Sequence, residues 1–325
     1  MSRIHEALKK AEQERAIVAP QRGATSSLTE SGPLADLTSS APPALGVRET
    51  VPSELSVAST PVMMPGRVTP GEYLRFDDLR KQCAHPDWNF DPNLNVFANP
   101  VLSQHGAEQF RTLRSRLYQS RSNQSLRSLL ITSSVPGEGK TFVTVNLAQA
   151  IVRQPDRRAI IIDADLRRPR VHTLLGSPNA PGLTDYLRGE ADEAAIVQFG
   201  PEGSLCLIPG GNEVTNPSEL LLNGRLGELI QRLAPVFDWI ILDSPPCLPV
   251  ADASILAGVC EGILLVVKSG STPSAVAQRA RQELQKRNIV GVVLNAVGEA
   301  QMYGAEYYDA YHYGFSNDGS KDSRQ

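Results

Sequence analysis

The sequence predicts an α/β protein: a mostly parallel sheet with helices on both faces. Three observations carry that expectation. Largely apolar runs at residues 128–134, 159–166, 239–242, 262–268 and 290–297 are strand-sized and lack a polar face, as strands buried on both sides do. Helical segments at 140–153 and 272–288 alternate with them, the pattern of right-handed crossovers in a parallel sheet. A glycine-rich turn joins the first run to the helix that follows it.

The chain has 325 residues, which allows one large domain or two ordinary ones, and its 41% apolar content leaves ample material for a core. The formal charge is −3. That balance argues against a wholesale nucleic-acid binder, which is usually strongly basic. Cys83, Cys206, Cys247 and Cys260 lack metal-ligand spacing and read as buried thiols. There is no secretory signal at the start, no apolar stretch of membrane-spanning length and no repeat of fixed period.

Residues 1–16 read as a short amphipathic helix, with Ile4, Leu8 and Ala11 on one face. Residues 17–70, rich in Pro, Ser and Thr and without an aromatic, read as a disordered linker. Residues 71–100 regain aromatics among turn dipeptides and read as an irregular lead-in. The regular pattern begins at 101. Residues 107–119 form an arginine-rich helix candidate, and Asn216 with Pro217 opens another, as N-cap and first helical residue. The domain closes near 300. Residues 301–325 read as a flexible tail holding Tyr303, Tyr307, Tyr308, Tyr311 and Tyr313, five of the chain's eight tyrosines.

The most informative stretch is Ser134-Val135-Pro136-Gly137-Glu138-Gly139-Lys140-Thr141, between a strand and a helix. It meets the phosphate-loop pattern GxxxxGK[ST] except at its first position, where Ser134 replaces Gly. Gly137 and Gly139 let successive N–H groups turn inward as an anion nest, and the helix adds its positive end. Lys140 reaches the β- and γ-phosphates, and the Thr141 hydroxyl suits Mg²⁺. Asp163 and Asp165 end the second strand and Asp243 ends a later one, at the sheet edge where ligands of open α/β sheets bind. Three carboxylates there suit Mg²⁺ and its waters, with one left over as a base.

Together these segments resemble the Walker A, Walker A′ and Walker B motifs of the bacterial tyrosine kinase family, a MinD/ParA-like P-loop NTPase group tied to polysaccharide export. SxxPGEGK[ST], a run ending DxDxR and a run ending D[ST]PP stand here as residues 133–141, 160–167 and 240–246. The early lysine typical of MinD and ParA loops is replaced by Val135-Pro136. The resemblance implies an ATP-dependent tyrosine autokinase with Mg²⁺ as cofactor. Phosphates would be held by Pro136, Gly137, Glu138, Gly139, Lys140, Thr141 and Phe142, with Asn295 as the adenine contact. The metal would be held by Thr141, Asp165 and Asp243. Lys140 and Asp165 would share the catalytic work with Asp163 as the base. Glu108, Arg111 and Arg114 match the family's ExxRxxR ring-assembly segment, and the terminal tyrosines match its autophosphorylation cluster. The resemblance is to the split form, whose membrane adaptor of the polysaccharide chain-length-determinant type would be a separate protein. It is then expected in the cytoplasm, at the inner face of the plasma membrane, as a homo-oligomeric ring. The competing reading is a MinD/ParA-like ATPase switch without kinase activity. Arg167 and Arg168 are left open between binding phosphate and pairing with carboxylates.

Overall fold

The computed structural model describes residues 74–298. The expected N-terminal helix, the linker and the tyrosine-rich tail lie outside the described residues. The strands are β1 (Ser128–Ser133), β2 (Ala159–Asp163), β3 (Gln198–Phe199), β4 (Leu205–Ile208), β5 (Trp239–Asp243), β6 (Gly262–Lys268) and β7 (Ile289–Asn295). They form one sheet in the order β3-β4-β2-β5-β1-β6-β7. Every neighbouring pair is parallel except β3 and β4.

Alternate side chains of each central strand enter opposite cores, because successive Cβ atoms point to opposite faces. Leu130, Ile160, Ile162, Ile208 and Leu242 pack on one side. Leu129, Ile131, Ile161, Leu207 and Ile241 pack on the other. The second layer is covered by α2 (Pro100–Asn123) and α3 (Lys140–Val152), through Phe110, Leu117, Leu147 and Ile151, whereas α1 (Phe76–Gln82) places Leu79 in the first. From Val143 to Val152 every residue of α3 is buried, as expected for a helix apolar on all sides and sandwiched between a sheet and another helix. The first layer is covered by α5 (Leu183–Arg188), α8 (Arg225–Leu233) and α9 (Asp252–Leu256), with α10 (Ser274–Glu283) contributing Ala280.

Several bounds differ from the sequence reading. The helix expected over 107–119 runs from Pro100 to Asn123. The one expected to reach 288 ends at Glu283, and the last strand ends at Asn295. The lead-in is not irregular throughout: it contains α1, and Ala84 bridges to Gln198 beside the sheet edge. The β3–β4 pair and the short helices α4 (Val171–Leu175) and α6 (Glu193–Ile196) had no sequence signal long enough to register. Pro217 opens α7 (Pro217–Leu221), but the Asn216 side chain does not cap it and instead donates to Glu219.

One buried side chain fastens the lead-in to the domain. Asn146 on α3 accepts from the Val96 N–H at 2.9 Å and donates to the Leu94 carbonyl at 2.8 Å. It also donates to the Phe142 carbonyl at 2.9 Å. With no exposed surface, it would deprive the buried Val96 N–H and the part-buried Leu94 carbonyl of this partner if replaced by an apolar residue.

Candidate active site

The loop from β1 to α3 is held by groups that the phosphate pattern does not mention. Gly139 precedes α3 with φ +92°, and a Cβ there would stand 2.0 Å from Asn295 Nδ2. The backbone conformation and the close approach both demand glycine. Gly137, at φ +85°, makes the other left-handed turn. The Glu138 carboxylate points inward rather than at a ligand. It accepts from the Val135 N–H at 2.8 Å, from the Thr272 hydroxyl at 2.5 Å and, at 3.4 Å, from the Lys268 N–H. Glu138 is therefore a strut of the loop, leaving its backbone N–H for an anion. Asn295, expected at the adenine, spends its amide group on the Glu138 carbonyl at 2.8 Å. Its visible work is to clamp the loop to β7. Phe142 packs its ring edge-on against Phe110 at 5.9 Å, so only its backbone could serve a phosphate. Pro136 and Gly137 stand exposed at the loop tip.

Lys140 and the three carboxylates meet where β1, β2 and β5 end. Lys140 Nζ lies 2.9 Å from Asp165 Oδ2 and 3.7 Å from Asp243 Oδ2. The Thr141 hydroxyl donates to Asp243 Oδ2 at 2.7 Å, and that of Thr144 donates to Oδ1 at 3.0 Å. Asp163 is opposite Asp243 in the strand register. Its Oδ2 accepts the Arg170 and Val171 N–H groups, both at 2.9 Å, and its Oδ1 has one long bond, 3.3 Å, from the Asp165 N–H.

Both facing aspartates are completely buried. Burial, reinforced by the charge of Asp243, pushes Asp163 up to about 8 despite the Val171 N–H and Lys140. Burial raises Asp243 as well, against the pull of Lys140 and Thr141. Burial works to lower Lys140, but Asp243 and Asp165 together outweigh it and hold the ammonium charged. The cluster thus holds more carboxylates than cations, in a place where opposite charge is strongly favoured.

Thr144 was missed by the sequence reading, which stopped at the GK[ST] triplet; a hydroxyl one helical turn after Lys140 was the available signal. The Arg167 guanidinium makes a two-point contact with Asp252, at 2.6 and 3.1 Å, and reaches Ser218 at 3.1 Å. It therefore pairs with a carboxylate. The ExxRxxR segment does not present one uniform face. Glu108 and Arg111 form an exposed ion pair at 2.9 Å. Arg114 instead folds back to donate to the Ala150 carbonyl at the end of α3, at 2.6 Å. Through this bond Arg114 fastens α2 to α3.

Comparison with known proteins fits this geometry. No family model matches the chain. Tyrosine-protein kinase YwqD of Bacillus subtilis is 36% identical over 203 residues, covering 62% of this chain and 85% of that protein. The chain belongs to the bacterial tyrosine kinase family. Tyrosine-protein kinase etk of Escherichia coli K12 is 35% identical over 61% of this chain, which spans only 27% of the length of etk. The solved kinase domain of the Escherichia coli tyrosine kinase ETK superposes with a TM-score of 0.55 at 33% identity, covering 61% of this chain and 80% of that one. As a family member the chain is an enzyme of the tyrosine-protein kinase class, with a P-loop nucleotide site at the carboxyl ends of its parallel strands. Among the described residues, no helix is long and apolar enough to cross a membrane.

Proposed function

We propose that the chain is an ATP-dependent autokinase that phosphorylates the terminal tyrosines of a neighbouring copy, with Asp163 as the base. The observation that carries this reading is the arrangement of Asp163. Its Oδ2 is filled by two backbone N–H groups, whereas Oδ1 keeps acceptor capacity at the edge of the Lys140 cluster. Its raised proton affinity suits a group that must take a proton near neutral pH.

ATP would place its β- and γ-phosphates on the loop N–H groups, drawing Lys140 from Asp165 to phosphate oxygens. The phenol oxygen of a tyrosine bonds to the γ-phosphorus as the bond to the β-bridging oxygen breaks. ADP leaves, and the phenolic proton passes to Asp163 Oδ1. A loose phosphoryl-transfer transition state asks little of the base, so holding the tyrosine in line dominates. The donor set suits Mg²⁺. Thr141, Asp243 and Asp165 supply hard oxygens, while phosphate and water complete such sites. Bound there, the ion would neutralise phosphate charge. The excess of buried carboxylates over cations is the feature that fits it.

β7 ends at Asn295 beside the loop. A fully extended chain from there could carry Tyr303 about 27 Å and Tyr313 about 60 Å, which allows a neighbour's site. The exposed Glu108–Arg111 pair is the surface proposed to hold that neighbour in a homo-oligomeric ring. A separate membrane adaptor of the chain-length-determinant type would hold the ring at the inner face of the plasma membrane. There it would regulate exopolysaccharide polymerisation and export.

The test is incubation of the full chain with ATP and Mg²⁺, with and without an adaptor's cytoplasmic segment, followed by phosphosite mapping. Phosphate on residues 303–313 is expected, and none on a Lys140→Met chain. Release of phosphate without any phosphotyrosine would favour the ATPase-switch reading instead.

A further inference from the structure

Three arginines follow the acidic end of β2, and they are used differently. Arg167 is committed to Asp252 and Ser218. Arg168 and Arg170 are exposed, and among the described residues neither guanidinium has a hydrogen-bond or ion-pair partner. Their main chains nonetheless sit on the catalytic carboxylates: Arg168 N–H bonds Asp165 Oδ1 at 3.2 Å, and Arg170 N–H bonds Asp163 Oδ2 at 2.9 Å. Both side chains therefore start one residue's breadth from the groups that would meet an incoming tyrosine.

The site itself is unfriendly to an acidic peptide. Among the described residues, Lys140 is the cation in ion-pair contact with Asp165 and Asp243, and the Arg167 guanidinium is spent on Asp252. Yet the segment from Tyr303 to Tyr313 carries Glu306 and Asp309 and no Lys or Arg. Glu306 directly precedes Tyr307, and Asp309 directly follows Tyr308. With a phenol at Asp163, its chain neighbours lie about 3.8 Å away per residue, within the sweep of long side chains anchored at 168 and 170. Two free guanidiniums at the rim answer two carboxylates beside the acceptor pair.

We propose that Arg168 and Arg170 form a recognition strip for acid-flanked tyrosines, so that Tyr307 and Tyr308 of a second copy are the preferred acceptors. This rests on the autokinase reading above and adds to it the choice among tyrosines.

The experiment uses full-length chains. The enzyme is either the native chain or Arg168→Glu/Arg170→Glu. The acceptor is a mass-tagged Lys140→Met chain, with its own tail or with Glu306→Lys/Asp309→Lys. Initial rates at each tyrosine are read by mass spectrometry, alongside ATP affinity. Expected are early labelling of Tyr307 and Tyr308 by the native enzyme and a loss of about tenfold at those sites with the charge-reversed enzyme. The lysine-bearing acceptor should restore labelling by the reversed enzyme, with ATP affinity unchanged within about twofold throughout. An equal loss on both acceptors, no loss at all, or a fall in ATP affinity overturns the strip. Labelling of Tyr303, Tyr311 and Tyr313 ahead of the acid-flanked pair does so too. If the native enzyme labels no tyrosine on any acceptor, the autokinase reading falls and takes the strip with it.

Discussion

Asp163 on β2 and Asp243 on β5 face each other across the sheet and are equally buried, but they are held by different parts of the chain. Asp243 is wired to the phosphate-loop helix through the hydroxyls of Thr141 and Thr144 and lies 3.7 Å from Lys140. Asp163 is wired to the segment leading into α4 through the backbone of Arg170 and Val171. On the proposed reading, a side chain gripped by hydroxyls and an ammonium serves the nucleotide. One gripped by backbone N–H groups is fixed in place without using any group that phosphate needs. Under the proposed autokinase reading, the two strand ends would divide donor and acceptor halves of a transfer between them.

The largest effect should come from removing what both halves share. Lys140→Met is expected to abolish phosphorylation and to weaken nucleotide binding by about 100-fold, as the loss of a charge-assisted contact to phosphate does. Equilibrium binding of a fluorescent ATP analogue checks it. An unchanged affinity would break the assignment of Lys140 to the donor half.

Acidity offers the next separation. In the nucleotide-free chain, Asp163 has its proton affinity raised from 3.8 to about 8. The folded state therefore holds that proton where the unfolded state has lost it. Its contribution is fully present below about pH 4 and is lost progressively as the pH rises toward about 8. Melting temperature should fall across that window from this group and level off above it. Asp163→Asn should flatten the slope. kcat/KM should run the opposite way, rising as Asp163 loses its proton, with an ascending limb that the same substitution removes.

The smallest effect belongs to the supporting hydroxyl. Thr144→Val keeps shape but deletes the 3.0 Å bond to Asp243. A cost of about 1–2 kcal/mol in stability is expected from chemical denaturation, together with a modest loss of nucleotide affinity. The chosen acceptor tyrosine should not change. A shift in acceptor choice would mean that the two halves are not separate.

Much of this was legible in the sequence because local pattern determines it. Residues 128–134, 159–166 and 239–242 could be read as strands, since burial on both faces requires continuous apolar runs, and the aspartates closing the last two as one cluster. What could not be read depends on partners far along the chain. The inward turn of Glu138 is set by Thr272 and Lys268, the clamp by Asn295 comes from β7, and the commitment of Arg167 comes from Asp252. Arg114 shows the same limit. Its place in the ExxRxxR segment gives no sign that the carbonyl of Ala150, packed alongside, captures its guanidinium. Strand order is likewise tertiary: nothing in β4, a run of four residues, announces that it will pair with β2.

The division between the two aspartates is tested most directly by Asp163→Asn in single-turnover conditions, with ATP affinity and the rate of tyrosine phosphorylation measured on the same preparation. The account predicts native affinity, within about twofold, and a transfer rate lower by about 10²–10⁴-fold, the range for loss of a general base. A parallel loss of affinity and rate, or transfer at the native rate, would contradict it.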